Sequence, residues 1–157
     1  MKPEFLWWIS TRLYQNGWKR LAKFIKTLNF LIFNTVLPVE CQISRDIEIW
    51  HRGLGTVVHP NVRIGRSVKI GHGVTIAGTD AGPMIIEDGV KITAGAILLP
   101  RGGKPLTIGR NSIIGAGAVV VSDVPSGAVF AGNPATETSS SSARRAGKQS
   151  IPGGLGD

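Results

Sequence analysis

Cysteine occurs once in this chain of 157 residues, at Cys41. A single cysteine excludes an internal disulfide framework and a cysteine-based zinc cluster, and it fits a reducing, cytoplasmic compartment. Long apolar runs are missing too: none reaches the ~18 residues that a membrane span needs. The N-terminus lacks the charged, apolar, small-residue order of a cleaved signal peptide. Acids are few, with Asp+Glu 10 against Lys+Arg 18 and a net charge of +8. Aromatics make up only 6%. What the chain has instead is glycine, 21 residues, within a composition that is 42% apolar. A glycine-rich, aliphatic chain of this length predicts one domain with many tight turns between short strands.

Composition divides the chain into three parts. Residues 1–35 hold three of the four tryptophans, and Lys2, Arg12, Lys19, Arg20, Lys23 and Lys26 against one acid, Glu4. Residues 36–135 are aliphatic and glycine-rich, and residues 136–157 have no apolar periodicity, which predicts a disordered tail. In the first part Trp18, Leu21, Ile25, Leu28 and Ile32 recur at steps of three and four, so they line one face of a helix. Gly17 separates this helix from an earlier one around Phe5–Asn16, and Pro38 ends the region. The apolar stripe is expected to pack on the body or on a neighbouring subunit. Its tryptophan and basic flank leave peripheral contact with an anionic membrane open, whereas no nucleic-acid-reading motif accompanies the charge.

The middle part is a repeat. Aliphatic anchors fall at Ile43 and Ile49, at Val58, Ile64, Ile70 and Ile76, at Ile86, Ile92 and Leu98, and at Ile108, Ile114 and Val120. Within each group the step is six. Small or aliphatic residues stand two before the anchors, as at Val68, Val90 and Ala118, and turn-tolerant ones follow, as at Gly65, Gly71 and Gly109. Neither the period of two of a strand nor the 3.6 of a helix fits this spacing. Short strands separated by turns do fit it, three to a triangular coil, with coils stacked ~4.8 Å apart on a shared interior. Twelve anchors make about four coils. The phase slips between Ile49 and Val58, between Ile76 and Ile86, and between Leu98 and Ile108, where three or four extra residues must loop out at corners. Loops carried on a rigid scaffold are where function concentrates.

The hexapeptide pattern, the loop in IEIWHRGLGTVVHPNVRIG and the closing AVFAGNPA together resemble the hexapeptide-repeat acyltransferases, and most of all their serine O-acetyltransferase branch. The resemblance covers roughly residues 10 to 136. It implies a left-handed parallel β-helix, mainly β, with an N-terminal helical segment. It further implies a homotrimer, acetyl-coenzyme A as cosubstrate, no metal, and a small acceptor with a hydroxyl group. His51 sits where family members carry the catalytic histidine, so the resemblance implies that it is the general base.

Acetyl transfer to a hydroxyl needs such a base, donors for the oxyanion and a slot for the thioester arm. His72 lies two residues after its anchor, as His51 does, so both should share a corner in successive coils, with His72 as an acceptor-binding group. Asp80, in the second loop, is the acid expected to contact the acceptor. His59 follows Val58 at the next corner and reads as structural or interfacial. Ala94, Gly95, Ala116 and Gly117 match the small-residue segments that line coenzyme A, and Arg101 and Lys104 in the third loop suit its phosphates. Three histidines also raise a metal-dependent reading like that of the β-helix carbonic anhydrases, although the spacing lacks that family's close downstream pair. The chain departs from the serine acetyltransferase pattern at Trp50 and Val36, where family aspartates stand, and it has no histidine in the loop AGTDAGPM. A sugar or polysaccharide-precursor hydroxyl is therefore the alternative acceptor, and a noncatalytic scaffold the alternative of another class. Cys41 lies outside the proposed site, so no covalent acyl-enzyme is expected.

Overall fold

The computed structural model of the chain describes residues 2–140. It opens with an antiparallel helical hairpin, α1 (Pro3–Gln15) and α2 (Lys19–Phe33). Proline suits the first turn of α1, where its missing N–H costs nothing. Gly17 ends that helix as expected, at φ 86°. Its N–H donates to Tyr14 O at 3.2 Å, and that of Trp18 to Leu13 O at 2.9 Å, which satisfies the last carbonyls of the helix. Trp7, fully buried, closes the bottom of the core and donates from Nε1 to Pro38 O at 2.7 Å.

The apolar stripe of α2 turns inward only in part, with Ile25 and Leu28 half-buried and Trp18, Leu21 and Ile32 exposed. Ala22, Asn29 and Phe33 are the residues this helix buries, and Asn29 Nδ2 donates to Pro3 O at 3.1 Å. Trp18 is 65% exposed, Phe24 64% and Leu31 72%, with Leu21 and Ile32 also exposed. Within one chain, the packing expected of this stripe on the body is therefore partial, made at Ile25 and Leu28. Periodicity marks an apolar face but not what that face meets.

Beyond the hairpin the chain winds into a parallel β-helix of about four turns. Sheet one stacks β1 (Gln42–Ile43), β4 (Val62–Ile64), β7 (Met84–Ile86) and β10 (Thr107–Ile108). Sheet two stacks β2 (Glu48–Ile49), β5 (Lys69–Ile70), β8 (Lys91–Ile92) and β11 (Ile113–Ile114). Sheet three stacks β3 (Val57–Val58), β6 (Thr75–Ile76), β9 (Ile97–Leu98) and β12 (Val119–Val120). Every anchor read from the sequence ends one of these strands. Each sheet keeps them in register, as in Ile49↔Ile70, Ile70↔Ile92 and Ile92↔Ile114. All the anchors are buried except Ile43, which is half-buried in the first coil. Pairing begins as early as Val36, which bridges Val57.

The top closes differently from expectation. β13 (Ala128–Gly132) lies on β11, and β14 (Ala135–Ser140) folds back on β13 antiparallel. The tail expected from residue 136 is thus strand as far as Ser140, because an unpaired sheet edge above β13 offers its backbone partners. The rest of the expected tail, 141–157, lies outside the described residues.

Candidate active site

The corner joining sheet two to sheet three repeats once per coil as Gly53-Leu54-Gly55, Gly71-His72-Gly73, Thr93-Ala94-Gly95 and Gly115-Ala116-Gly117. Gly73 N donates to Leu54 O at 2.8 Å, Gly95 N to His72 O at 2.9 Å and Gly117 N to Ala94 O at 2.9 Å. Leu54, His72, Ala94 and Ala116 therefore stand one above another. The residues added to the first coil are Trp50, His51 and Arg52, which leave the ladder as a protruding turn. Counting from the anchors pairs His51 with His72. The hydrogen bonds instead pair Leu54 with His72 and set His51 on the bulge beside it. The expected proximity nevertheless appears: the two imidazoles meet edge to face, with centroids 5.1 Å apart and planes at 87°.

The bulge is strained and supported. His51 has φ 52° and Arg52 φ 60°, both left-handed, followed by Gly53 at φ 69°. For a non-glycine residue that conformation costs about 1–2 kcal/mol, and it persists only where the surroundings impose it. Here the Arg52 guanidinium lies 4.9 Å from the centroid of the Phe33 ring at the end of α2. Gly53 is pressed against the core, where a Cβ would come within 2.8 Å of Ile49 Cγ2 and 3.0 Å of Thr35 Cγ2. Backbone strain of this kind collects at functional sites.

Beside His51 lies a cleft of about 210 Å³ whose lining includes Lys2, Glu4, Glu48, Trp50 and Arg52. Glu48 is bridged by Lys69 Nζ at 3.2 Å. That contact, with a smaller one from the Trp50 side chain, holds its carboxyl below the usual range. Glu4 is only 8% exposed, and its Oε2 has no hydrogen-bond partner among the described residues. A larger cleft of about 390 Å³ runs along sheet one by Arg63, Glu87 and Arg110. It lies on a different face from either imidazole and brings no base to a reacting group, so the chemistry points to the smaller one.

Above the histidines the same corner narrows. Ala116, Gly95 and Gly117 are exposed, Ala94 is half-buried, and nothing lies within 4 Å of a Cβ built on Gly117. A thin ligand such as the pantetheine arm of coenzyme A fits a ridge flattened in this way, because small side chains let it approach backbone groups. Asp80, Arg101 and Lys104 occupy a different place. They sit exposed on the two insertions at the corner joining sheet three to sheet one, which stack through Thr79 Oγ1 donating to Gly103 O at 2.8 Å. The structure does not bring them to His51 within one chain. His59 belongs to that second corner, where its Nδ1 accepts from Asn61 N at 3.1 Å. Among the described residues no three His, Cys, Asp or Glu side chains gather as metal ligands. Burial pushes the Cys41 thiol up to about 12, far from a reactive thiolate.

Sequence reasoning missed Glu4, Glu48 and Arg52 as neighbours of His51. A signal for Glu4 was available, since it is the lone acid in a basic segment and follows the proline that starts α1.

No protein-family model matches the chain. Among solved structures it is similar to the serine acetyltransferase of Neisseria gonorrhoeae in complex with serine, 33% identical at TM-score 0.75, covering 85% of this chain and 54% of that one. The serine acetyltransferase of Brucella abortus in complex with coenzyme A is 30% identical at TM-score 0.75, covering 86% of this chain and 54% of that one. Among curated proteins, the 2,3,4,5-tetrahydropyridine-2,6-dicarboxylate N-acetyltransferase of Staphylococcus aureus is 44% identical over 75 residues, which is 45% of this chain and 30% of the relative. The chain thus spans about half the length of those serine acetyltransferases and under a third of the curated relatives. These similarities agree with the left-handed β-helix that the sequence resemblance implied.

Proposed function

We propose that the chain is an acetyl-coenzyme A-dependent O-acetyltransferase in which His51 is the general base. The observation that carries this reading is the supported, left-handed bulge that holds His51 against His72, directly below a corner reduced to alanine and glycine. The two neighbours solved with serine and with coenzyme A support the same chemistry. The imidazole takes the proton of an acceptor hydroxyl as its oxygen attacks the thioester carbonyl. The carbon–sulfur bond then breaks, and the proton passes to the departing thiolate. Ala94, Gly95, Ala116 and Gly117 flank the pantetheine arm in this reading, and no acyl-enzyme forms. Asp80, Arg101 and Lys104 reach this site only from another copy, so a homotrimer is part of the proposal.

Serine is the acceptor with direct support among the neighbours, and a sugar hydroxyl is the competing one. Thiol release from acetyl-coenzyme A, measured with L-serine and with a panel of sugars, tests both. Release with serine alone, lost in His51→Ala, is the expected result. Zero release with every acceptor leaves a noncatalytic scaffold.

The exposed stripe of α2 favours a second, peripheral role at an anionic lipid surface. Leu21, Phe24 and Leu31 are exposed beside Arg20 and Lys23, and the helix carries no acid. No described helix is long and apolar enough to cross a membrane. Co-sedimentation with phosphatidylglycerol vesicles, but not phosphatidylcholine vesicles, and its loss in Phe24→Asp/Leu31→Asp, is the expected result. A change of oligomeric state without vesicle binding assigns the stripe to a second copy instead.

A further inference from the structure

Glu4 is a buried carboxylate whose burial its own surroundings do not explain. Its residue is 8% exposed, and Oε2 has no donor among the described residues. None of the salt bridges there involves it. Native structures rarely tolerate this, because a polar atom removed from water loses its hydrogen bonds and a carboxylate loses far more. Such an atom is expected where a partner arrives later, as at a binding site.

Its position supports that explanation. Glu4 follows Pro3 in the first turn of α1, where the free N–H groups and helix dipole favour a negative charge. The start of α1 and the His51 bulge are walls of one cleft, about 210 Å³ in volume. Glu48, the other acid lining it, is already engaged by Lys69 at 3.2 Å. Position 50 contributes an indole, which can donate a hydrogen bond but not accept one. Among the described residues Glu4 is therefore the lining carboxylate that has neither a salt bridge nor a partner for its buried oxygen.

We infer that Glu4 is an acceptor-binding residue, which takes a hydrogen bond from a donor group on the acceptor other than the hydroxyl being acylated and so holds that hydroxyl near His51. The inference rests on the transferase reading and narrows it. It requires an acceptor with a second donor, either a protonated amine or another hydroxyl. It also places specificity on the helical hairpin rather than on the β-helix. This gives the N-terminal segment a role in the reaction that the repeat cannot supply.

The test compares wild type, Glu4→Gln and Glu4→Met as full-length chains, with L-serine and the sugar panel as acceptors. Acceptor KM, acetyl-coenzyme A KM and thermal midpoint are measured for each. The expected result is an acceptor KM raised at least tenfold in Glu4→Met, with an unchanged coenzyme KM and a midpoint unchanged or higher. If the donor is an ammonium, Glu4→Gln loses as much as Glu4→Met, since the amide lacks the charge. If it is a hydroxyl, the Gln carbonyl restores most of the affinity. A lowered midpoint with unchanged acceptor KM would show a purely structural role and overturn the inference. A wild type without thiol release on any acceptor removes the transferase reading itself, and this inference with it. Normal transfer by both variants removes Glu4 alone.

Discussion

Two corners of the prism depart from the six-residue repeat, and they do so in different ways. At the sheet two–sheet three corner, three added residues make a tight bulge with left-handed backbone at His51, Arg52 and Gly53. Phe33, Ile49 and Thr35 press on it from behind. At the sheet three–sheet one corner, two four-residue insertions stack in the open, with Gly102 and Gly103 also left-handed but nothing within 4 Å of a Cβ on either. Both corners carry polar side chains. Only the first is held by the core, and rigid support is what allows a side chain to be aimed at a reacting atom. An insertion in a repeat therefore nominates a site, and its packing decides whether the site can be precise.

The largest effect that would break this contrast is catalytic. His51→Ala should lower the rate of thiol release by about 10²–10⁴-fold, with the thermal midpoint unchanged because the imidazole is exposed. A comparable loss in Asp80→Ala, and none in His51→Ala, would move the chemistry to the open corner. Next comes the backbone. Gly53→Ala must accept left-handed strain of about 1–2 kcal/mol and a further ~1–3 kcal/mol of overpacking. Gly102→Ala carries the strain alone, so chemical denaturation should separate the two. Equal losses would show that the bulge is no better supported than the outer loop.

Smaller effects sharpen the comparison. Replacing Arg101 and Lys104 by Ala should raise the KM for acetyl-coenzyme A by roughly three- to tenfold, the scale of exposed charge contacts worth up to ~1 kcal/mol, and leave the acceptor KM alone. Least of all is a pH effect at the third corner, where the Arg66 backbone N–H holds the Asp88 carboxyl below its usual range, with Arg66 and Arg110 adding charge. A depressed folded-state value contributes stability that is complete above the ordinary aspartate value of about 3.9 and is lost as pH falls through the folded one. The thermal midpoint should therefore fall on acidification below that value, and fall less in Asp88→Asn.

The repeat was legible because its cause is local. Each anchor from Ile49 to Val120 must bury one aliphatic side chain per strand, so the period is written in the residues themselves. The loop bearing His51 was legible for the same reason, since an interruption of six is visible without coordinates. The bulge's true register was not. Which residue stacks under His72 depends on the bond from Gly73 N to Leu54 O, made between coils. The strand at Ala135–Ser140 was hidden because its residues are polar and its partner is the edge of β13.

The six-residue period, the turn at Gly17 and the placing of His51 on a looped-out corner follow from residue order, because spacing along a chain dictates which side chains share a face. The exposure of Trp18, Leu21 and Ile32 on α2, the register that stacks Leu54 rather than His51 on His72 and the burial of Glu4 beside the same cleft belong to the tertiary structure. Each depends on how separate elements settle against one another, and a free energy of packing between distant residues leaves no periodic trace in either one.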